Sequence, residues 1–351
     1  MPIQLTEEQK GLLLRWWSGL EKNRADRAHL RHAAHPAEIV LTDAFGRFAN
    51  IVNVPKEPED RSRYAAVAGL FAHVYDHVQH PALGKQMATE STSGRERAIS
   101  EGRFQRLLRT QDLGDFYEQL RRVLAMLGPR PEVNVVKLAE DVVGWGSEVR
   151  WQWAEDYFSV LFVNESAPQD KLQPFRAQWN AETKDAEKML ALCEVWWRTQ
   201  DERRSEQAAL RRCTGLADVQ LTPGYHRLRA WLSDESLTAS RERLAAAVGL
   251  LAHVKKESDT SFPLRLAGLS DDKKNPKDRH PKLSGLRFRR LLAIEDWDER
   301  YRALIRALRF VSGELNVRQF AQDLLFWISK GTNTTLHKWA EAYYTAAPSA
   351  T

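Results

Sequence analysis

The chain has 351 residues, 28% of them charged, and a formal net charge of +5 at pH 7. That length favours two domains of roughly 150 residues, each able to bury its own core. The two cysteines lack CxxC spacing and histidine partners, which argues against a disulfide scaffold or a zinc site. The start carries no secretion signal, and no apolar run approaches the ~20 residues of a membrane span. We therefore expect a cytoplasmic protein that contacts no membrane.

Helical periodicity dominates the chain, and the alternating pattern of strands is scarce. Thr6-Glu-Glu-Gln9 predicts a capping box at the start of the first helix. Pro81, Gly84 and Thr92-Ser93-Gly94 predict an irregular segment over 81–102. The other helices of the first half are expected over 24–33, 36–52, 61–78, 103–110, 112–127, 134–145 and 147–162. The sequence therefore predicts an all-α fold.

The second half of the chain repeats the first. Residues 16–74 align with residues 196–254 at a constant shift of 180 and without a gap. Further on the shift changes by a few residues, as expected where loops differ in length. The recurring residues include Trp16-Trp17 with Trp196-Trp197, Gly69-Leu70 with Gly249-Leu250, Arg103-Phe104 with Arg287-Phe288, and Trp153-Ala154-Glu155 with Trp339-Ala340-Glu341. The chain is two copies of one domain.

The repeat predicts two similar compact helical bundles in tandem, joined by a linker. We predict a first domain over 1–162, a linker with several prolines over 163–184, a second domain over 185–346 and a disordered tail over 347–351. Two such units are too few and too long for a solenoid. A fused dimer of this kind fixes the stoichiometry of the copies and gives them a high effective concentration.

The two halves differ in charge. Residues 1–180 hold 23 basic and 24 acidic residues, a net of −1, whereas residues 181–351 hold 29 and 23, a net of +6. Most of the excess lies in Asp271–Arg290, with eight basic and three acidic residues. A field concentrated on one stretch favours a polyanionic partner. A solvated loop is the alternative.

The sequence gives no positive reason to expect an enzyme. It has no GxxxxGK[ST], GxGxxG, HExxH or GxSxG motif. His29, His32 and His35 have no histidine counterparts in the second copy, so a shared metal site is unsupported. His73 and His253 do recur within apolar stripes, and we interpret them as hydrogen-bonded core residues. We expect no catalytic residue, no metal and no cofactor.

The arginines are the stronger candidates for a binding site. Arg103, Arg106 and Arg109 follow helical spacing, with Phe104 and its apolar neighbours on the opposite face. The second copy carries Arg287, Arg289 and Arg290 around Phe288. Arginine clusters beside Trp-rich helices suit a groove that follows a phosphate backbone, because guanidinium groups bind phosphate and stack on bases. The alternative is that they form ion pairs that tie helices together.

A set of motifs in fixed order adds a family resemblance. In the first copy the motifs are Ala28-His-Leu-Arg31, Leu83-Gly-Lys-Gln-Met-Ala88, Arg103-Phe-Gln-Arg-Leu-Leu108, Leu120-Arg-Arg122, Trp145-Gly-Ser-Glu-Val-Arg150 and Glu155-Asp156-Tyr-Phe158. Each copy resembles the CasB small subunit of the type I-E CRISPR Cascade complex. The second copy departs from the pattern at Pro263-Leu-Arg265 and Trp327-Ile328, and it has no clear match for Arg150.

The resemblance implies a non-catalytic small subunit of an RNA-guided surveillance complex. In that family two small subunits lie beside the guide RNA–target DNA hybrid, and their basic surface holds DNA and stabilises the R-loop. The implied partners are the hybrid, the displaced single-stranded DNA, and the backbone and large subunits, with no small-molecule substrate. A structural adaptor making only protein–protein contacts, or a small helical enzyme acting on nucleic acid, are the alternatives.

From the arginine pattern and the resemblance together we predict a nucleic-acid-binding set. Its members are Arg24, Arg31, Lys85, Arg103, Arg106, Arg150, Arg204, Arg211, Arg212, Arg265, Lys273, Lys274, Lys277, Arg287 and Arg290.

Overall fold

The protein is all-α, as predicted, and divides into two compact units, Met1–Val163 and Asn164–Thr351. The computed structural model describes residues 5–89, 97–179, 184–232, 240–268, 281–328 and 334–346. Within those ranges no helix combines the length and the apolar composition that crossing a bilayer requires.

The helices of the first unit follow the predicted order, except that a six-residue helix, Leu83–Ala88, lies within the segment over 81–102 that was expected to be irregular. They are α1 (Glu7–Gly19), α2 (Arg24–His32), α3 (Pro36–Val40), α4 (Asp43–Val52), α5 (Pro58–Phe71), α6 (Leu83–Ala88), α7 (Glu101–Arg109), α8 (Leu113–Met126), α9 (Val135–Val143) and α10 (Ser147–Leu161). The capping box at the start of α1 is confirmed, with Thr6 Oγ1 accepting from Gln9 N–H and Gln9 Oε1 accepting from Thr6 N–H.

The second unit repeats this order after one additional helix. Its helices are α11 (Gln169–Arg176), α12 (Asp185–Arg198), α13 (Arg204–Arg211), α14 (Leu216–Val219), α15 (Pro223–Trp231), α16 (Arg241–Leu251), α17 (Phe262–Ala267), α18 (Gly285–Leu292), α19 (Trp297–Phe310), α20 (Val317–Leu325) and α21 (Thr335–Ala346). A 3₁₀ turn, Gln200–Arg203, joins α12 to α13.

Two helices are shorter than the sequence predicted. The expected helix over 36–52 is two helices, because the Thr42 hydroxyl accepts from Phe45 N–H at 3.1 Å and starts α4 anew. The expected helix over 61–78 ends at Phe71, and the chain then forms a short strand. Strand β1 (Asp76–His77) pairs in parallel with β2 (Glu132–Val133), and β3 (Lys256–Glu257) pairs likewise with β4 (Glu314–Leu315).

The segment expected as a linker over 163–184 differs from that expectation, because it contains α11. Leu172 of this helix is 2% exposed and packs with Ala191 and Val195 of α12. Pro174 lies inside the helix. That proline is the reason the sequence suggested a loop, since proline normally ends a helix. Much of the segment therefore belongs to the second unit.

Each unit is built around one helix that is buried on all sides. Every residue from Tyr64 to Phe71 of α5 is buried, as is every residue from Leu244 to Leu251 of α16. A glycine in each helix lets a tyrosine approach closely. A Cβ atom on Gly69 would lie 2.5 Å from Tyr117 Oη, and one on Gly249 would lie 2.6 Å from Tyr301 Oη.

The two units also share the same tryptophan hydrogen bonds. They run from Trp17 Nε1 to the Val74 carbonyl (3.1 Å), from Trp197 Nε1 to the Val254 carbonyl (3.1 Å), from Trp153 Nε1 to Asp141 Oδ2 (2.7 Å) and from Trp339 Nε1 to Asp323 Oδ2 (2.7 Å). Most of the recurring tryptophans are therefore core residues that each tie two elements together.

One buried position differs in chemistry between the units. In the first unit Phe116 stacks on Trp145, with ring centroids 3.9 Å apart. Trp145 Nε1 donates to the Thr110 carbonyl at 3.1 Å. This corner is therefore aromatic, and its indole donor satisfies a carbonyl at the end of α7.

The second unit replaces this phenylalanine with Arg300, which is 4% exposed. Its guanidinium lies 4.6 Å from the ring centroid of Trp327 and 4.8 Å from that of Trp297, and it donates to the Ile294 carbonyl. Burial lowers the pKa of Arg300. Trp327 Nε1 has no hydrogen-bond partner within the described ranges. The carbonyl at the equivalent position thus accepts from arginine instead of tryptophan.

The recurring histidines are half-buried, and neither is hydrogen-bonded at Nε2 by any residue that the structure describes. Burial lowers the pKa of His73 to about 4, helped by Arg121 and Arg31. Burial lowers the pKa of His253 to about 4 as well, helped by Arg211 and Arg309. We expected both histidines to be hydrogen-bonded core residues, but Nε2 of each lacks such a bond to any described residue. Because the pKa of each lies well below 7, both imidazoles are neutral at pH 7.

We predict that Gly249→Ala destabilises the second unit by about 1–3 kcal/mol, because the added methyl group would overlap Tyr301. Chemical denaturation measures the change. Gly11→Ala is the matched control, since nothing lies within 4 Å of its Cβ position in α1. That control should be neutral or more stable by up to about 1 kcal/mol. Equal effects of the two substitutions would contradict close packing at Gly249.

We predict that His73 and His253 make the folded protein less stable as the pH falls from 6.5 towards 4. A folded-state pKa of about 4 for His73 and His253 lies below the ordinary 6.5, so the unfolded chain binds more protons in that window. Between pH 7 and pH 5 the melting temperature of the wild type should therefore fall relative to that of the variant H73Q/H253Q. Imidazole NMR signals of either residue titrating near 6.5 would refute the shift.

Candidate nucleic-acid interface

Helix α7 presents the first arginine face, defined here as Arg103, Arg106 and Arg109. All three residues are exposed, while Phe104 and Leu107 on the other side of the helix are buried. Phe104 stacks on a tyrosine of α10 with ring centroids 3.9 Å apart, which fixes the rotation of α7. The helix therefore turns its arginines outward because its apolar stripe is held in the core.

Helix α8 borders the first arginine face. Arg103 Nη1 lies 3.8 Å from Met126 Sδ at the end of α8. One turn before Met126, Arg122 forms an ion pair with Glu118. Exposed pairs of this type contribute little to stability, but this one neutralises a positive charge beside the face.

Helix α18 presents the second arginine face, defined as Arg287, Arg289 and Arg290. These residues are exposed, and none is paired with a carboxylate in the part of the chain that the structure describes. Phe288, stacked on Tyr343 with ring centroids 3.9 Å apart, holds the helix in the orientation that α7 has in the first unit.

The helix beside the second face is more basic than its counterpart in the first unit. With the shift of 184 that aligns Arg103 with Arg287, Glu118 corresponds to Arg302 and Ala125 to Arg309. Arg302 pairs with Asp298. Arg306 and Arg309 are exposed, and the described ranges show no ion pair for either. The second unit therefore concentrates more unpaired positive charge along this pair of helices.

Four other predicted residues are exposed: Arg24, Lys85, Arg204 and Arg212. No hydrogen bond of their side chains occurs within the described parts of the chain. Burial raises the pKa of Asp156 on α10, and the charge of Lys85 opposes that rise. These side chains are therefore available to a ligand.

Arg31 and Arg211 are exposed but anchored. Arg31 Nη1 donates to Tyr75 Oη at 2.8 Å, and Arg211 Nε donates to the Ala252 carbonyl at 2.6 Å. Each guanidinium keeps further donors free after these bonds. Both residues occupy the same position in α2 and α13, yet their partners differ.

Two predicted residues make contacts within the fold. Arg150 donates to the Gly146 and Leu108 carbonyls at 3.3 and 3.4 Å. Arg265 pairs with Glu314 at 2.7 Å and donates to a serine hydroxyl. The part of these two residues in nucleic-acid binding stays a prediction.

Lys273, Lys274 and Lys277 lie outside the described residues. The basic segment that they belong to stays a sequence-based prediction.

The sequence missed a cluster around Tyr75. The guanidinium carbons of Arg27 and Arg130 lie 4.6 and 5.6 Å from the centroid of its ring. Arg130 also pairs with Asp76 at 3.1 Å. Tyr75 corresponds to Lys255 in the second copy. A search for residues that recur in both copies therefore does not identify Tyr75. The cluster could only be found from the fold, because it joins three distant segments.

The comparisons with known proteins agree with this duplicated architecture. The family model of the CRISPR-associated protein Cse2 matches the chain twice, over residues 26–158 and again over residues 206–344. A search of curated proteins and a search of solved structures found no match. The two matched regions fall in the two units and cover most of the chain. This protein therefore belongs to the Cse2 family of CRISPR Cascade small subunits, as a tandem fusion of two copies.

Proposed function

We propose that this chain supplies the small-subunit pair of a Cascade-type complex in one non-catalytic polypeptide, and that its arginine faces bind target DNA strands and stabilise the R-loop. Family membership establishes a Cascade small subunit. The observation that supports the finer role is the pair of equivalent helices, α7 and α18, whose arginines are exposed and turned away from the core.

The energetics of R-loop formation explain why such a subunit is useful. The RNA–DNA hybrid is about as stable as the DNA duplex that it replaces, so backbone contacts can tip the balance. Arginines that bind phosphates release counterions and carry no sequence preference. Stabilisation by exposed arginines therefore suits a complex whose specificity comes from the guide.

The proposed partners follow from the same role. They are the guide RNA–target DNA hybrid, the displaced single strand, and the backbone and large subunits of the complex, in the cytoplasm. Fusion raises the effective concentration of the second copy once the first has bound. The second arginine face, with Arg306 and Arg309 nearby, is proposed to make the stronger contact because its two helices carry more unpaired arginines.

Exposed apolar side chains near the second arginine face also fit the alternative of a structural adaptor that makes only protein–protein contacts. Leu286 on α18 is 59% exposed and Phe310 at the end of α19 is 41% exposed. Apolar side chains among arginines are common in protein interfaces. Crosslinking of assembled complexes distinguishes the two roles: adducts between α18 and DNA support the proposal, whereas adducts to protein subunits alone contradict it.

We predict that the variant R287E/R290E shortens the lifetime of the R-loop in the assembled complex and lowers the salt dependence of DNA binding by a slope of about two. Melting temperature should not change, since both side chains are exposed. R15E/K56E is the control, because it reverses two charges at exposed positions that belong to neither arginine face.

The variant R103E/R106E tests the first face in the same assay, and we expect a smaller loss. R-loop lifetimes of R287E/R290E that match those of the control would overturn the proposed phosphate contacts.

A further inference from the structure

The second unit contains a cavity of about 360 Å³ that the arginine faces do not use. It lies between the end of α12, the 3₁₀ turn, α13 and the segment before β3. Its lining residues are Trp197, Arg198, Gln200, Asp201, Gln207, Arg211, Val254 and Lys255. The volume lies within the range of small-molecule sites, at its lower end.

The walls of this cavity are held by hydrogen bonds between distant segments. Trp197 Nε1 donates to the Val254 carbonyl at 3.1 Å, and Arg211 Nε to the Ala252 carbonyl at 2.6 Å. The Lys255 N–H donates to the Gly313 carbonyl at 2.7 Å. Gly313 has a φ of +71°, and a Cβ there would lie 2.7 Å from a backbone oxygen. The cavity is therefore preformed.

The lining offers three kinds of polar group. Arg198, Arg211 and Lys255 are cations, and Asp201 is an exposed carboxylate. Gln207 Nε2 donates to Gln200 Oε1 at 2.9 Å. Gln200 is 4% exposed, and its own Nε2 has no partner in the described ranges. Cations, amides and a carboxylate thus converge beside an indole.

The first unit has different side chains at two of the equivalent positions. Gln200 corresponds to Leu20, which is 2% exposed, and Lys255 corresponds to Tyr75. The Tyr75 ring is in contact with Arg27 and Arg130. Arg130 lies in a loop that the second copy shortens by two residues, since the shift falls from 184 at Arg103 to 182 at Asn134.

We propose that this cavity receives one unstacked nucleotide of a single-stranded nucleic acid that crosses the second unit. Arg211 and Lys255 hold the phosphate, while the Gln207 amide, which the buried Gln200 positions, and the Asp201 carboxylate face the base edge. Unstacked bases are read in this way by hydrogen bonds and by aromatic contacts, here with Trp197. The proposal rests on the proposed function, because it assigns a site to the same strand.

A nucleotide suits the lining better than an acidic peptide. The side-chain carboxylate of such a peptide would use the cations, but it has no donor for Asp201. A base carries both donors and acceptors, so it can pair with the Gln207 amide and with the Asp201 carboxylate. The mixed lining therefore favours a nucleotide.

The test replaces two residues of the cavity with their counterparts from the first copy. The full-length variant Q200L/K255Y is compared with the wild type for binding of a short oligothymidylate and of the same oligonucleotide with one abasic position. K22Y is the control, because it removes one exposed lysine outside the cavity. We expect Q200L/K255Y to bind the intact oligonucleotide roughly tenfold more weakly, and K22Y to bind it like the wild type. If the double variant does not fold, the single variant K255Y is used in the same binding measurement.

Photocrosslinking gives a second readout. An oligonucleotide with 5-iodouracil should crosslink to Trp197 in the wild type, not to the matching Trp17, and the crosslink should vanish in Q200L/K255Y.

Unchanged binding and crosslinking in that variant would overturn the cavity site. The proposed function would still stand if R287E/R290E shortened the lifetime of the R-loop. Equal losses for intact and abasic strands overturn a nucleotide site in favour of a phosphate site. Failure of the wild type to bind any strand counts against the proposed function itself.

Discussion

The complete burial of one helix in each unit is the constraint on which the rest of the structure depends. Helices α5 and α16 have no solvent-facing side over eight consecutive residues, so every neighbouring element must cover part of them. Gly69 and Gly249 bring α8 and α19 close enough to do so. Those two helices in turn support α7 and α18, whose outer sides carry the arginines. The packing around the two buried helices thus determines where the candidate interface lies on the surface.

Local signals predicted much of this fold. The capping box at Thr6 and the spacing of Arg103 and Arg106 opposite Phe104 depend on residues within one helix, so the sequence displays them directly. The role of Arg150 and Arg265 depends instead on carbonyl and carboxylate partners 42 and 49 residues away. No local pattern could identify those partners. The sequence pattern therefore predicted which helix faces are exposed, but not which arginines form hydrogen bonds or ion pairs within the fold.

The same reasoning explains why the cavity was not predicted. Its walls come from four segments, and only the fold brings Gln207 and Lys255 together. The comparison of copies favoured residues that recur, such as Arg211. A site present in one copy alone consists mainly of residues that differ, such as Gln200 for Leu20 and Lys255 for Tyr75. Differences between the copies are therefore as informative about function as identities.

The exchange of Phe116 for Arg300 has a consequence for folding. Two units of one fold in a single chain can trade equivalent helices and misassemble. If α8 replaced α19, the Ile294 carbonyl would lose its arginine donor. If α19 replaced α8, the buried cation would reach a carbonyl that already accepts from Trp145. Each helix is therefore matched to the buried corner of its own half.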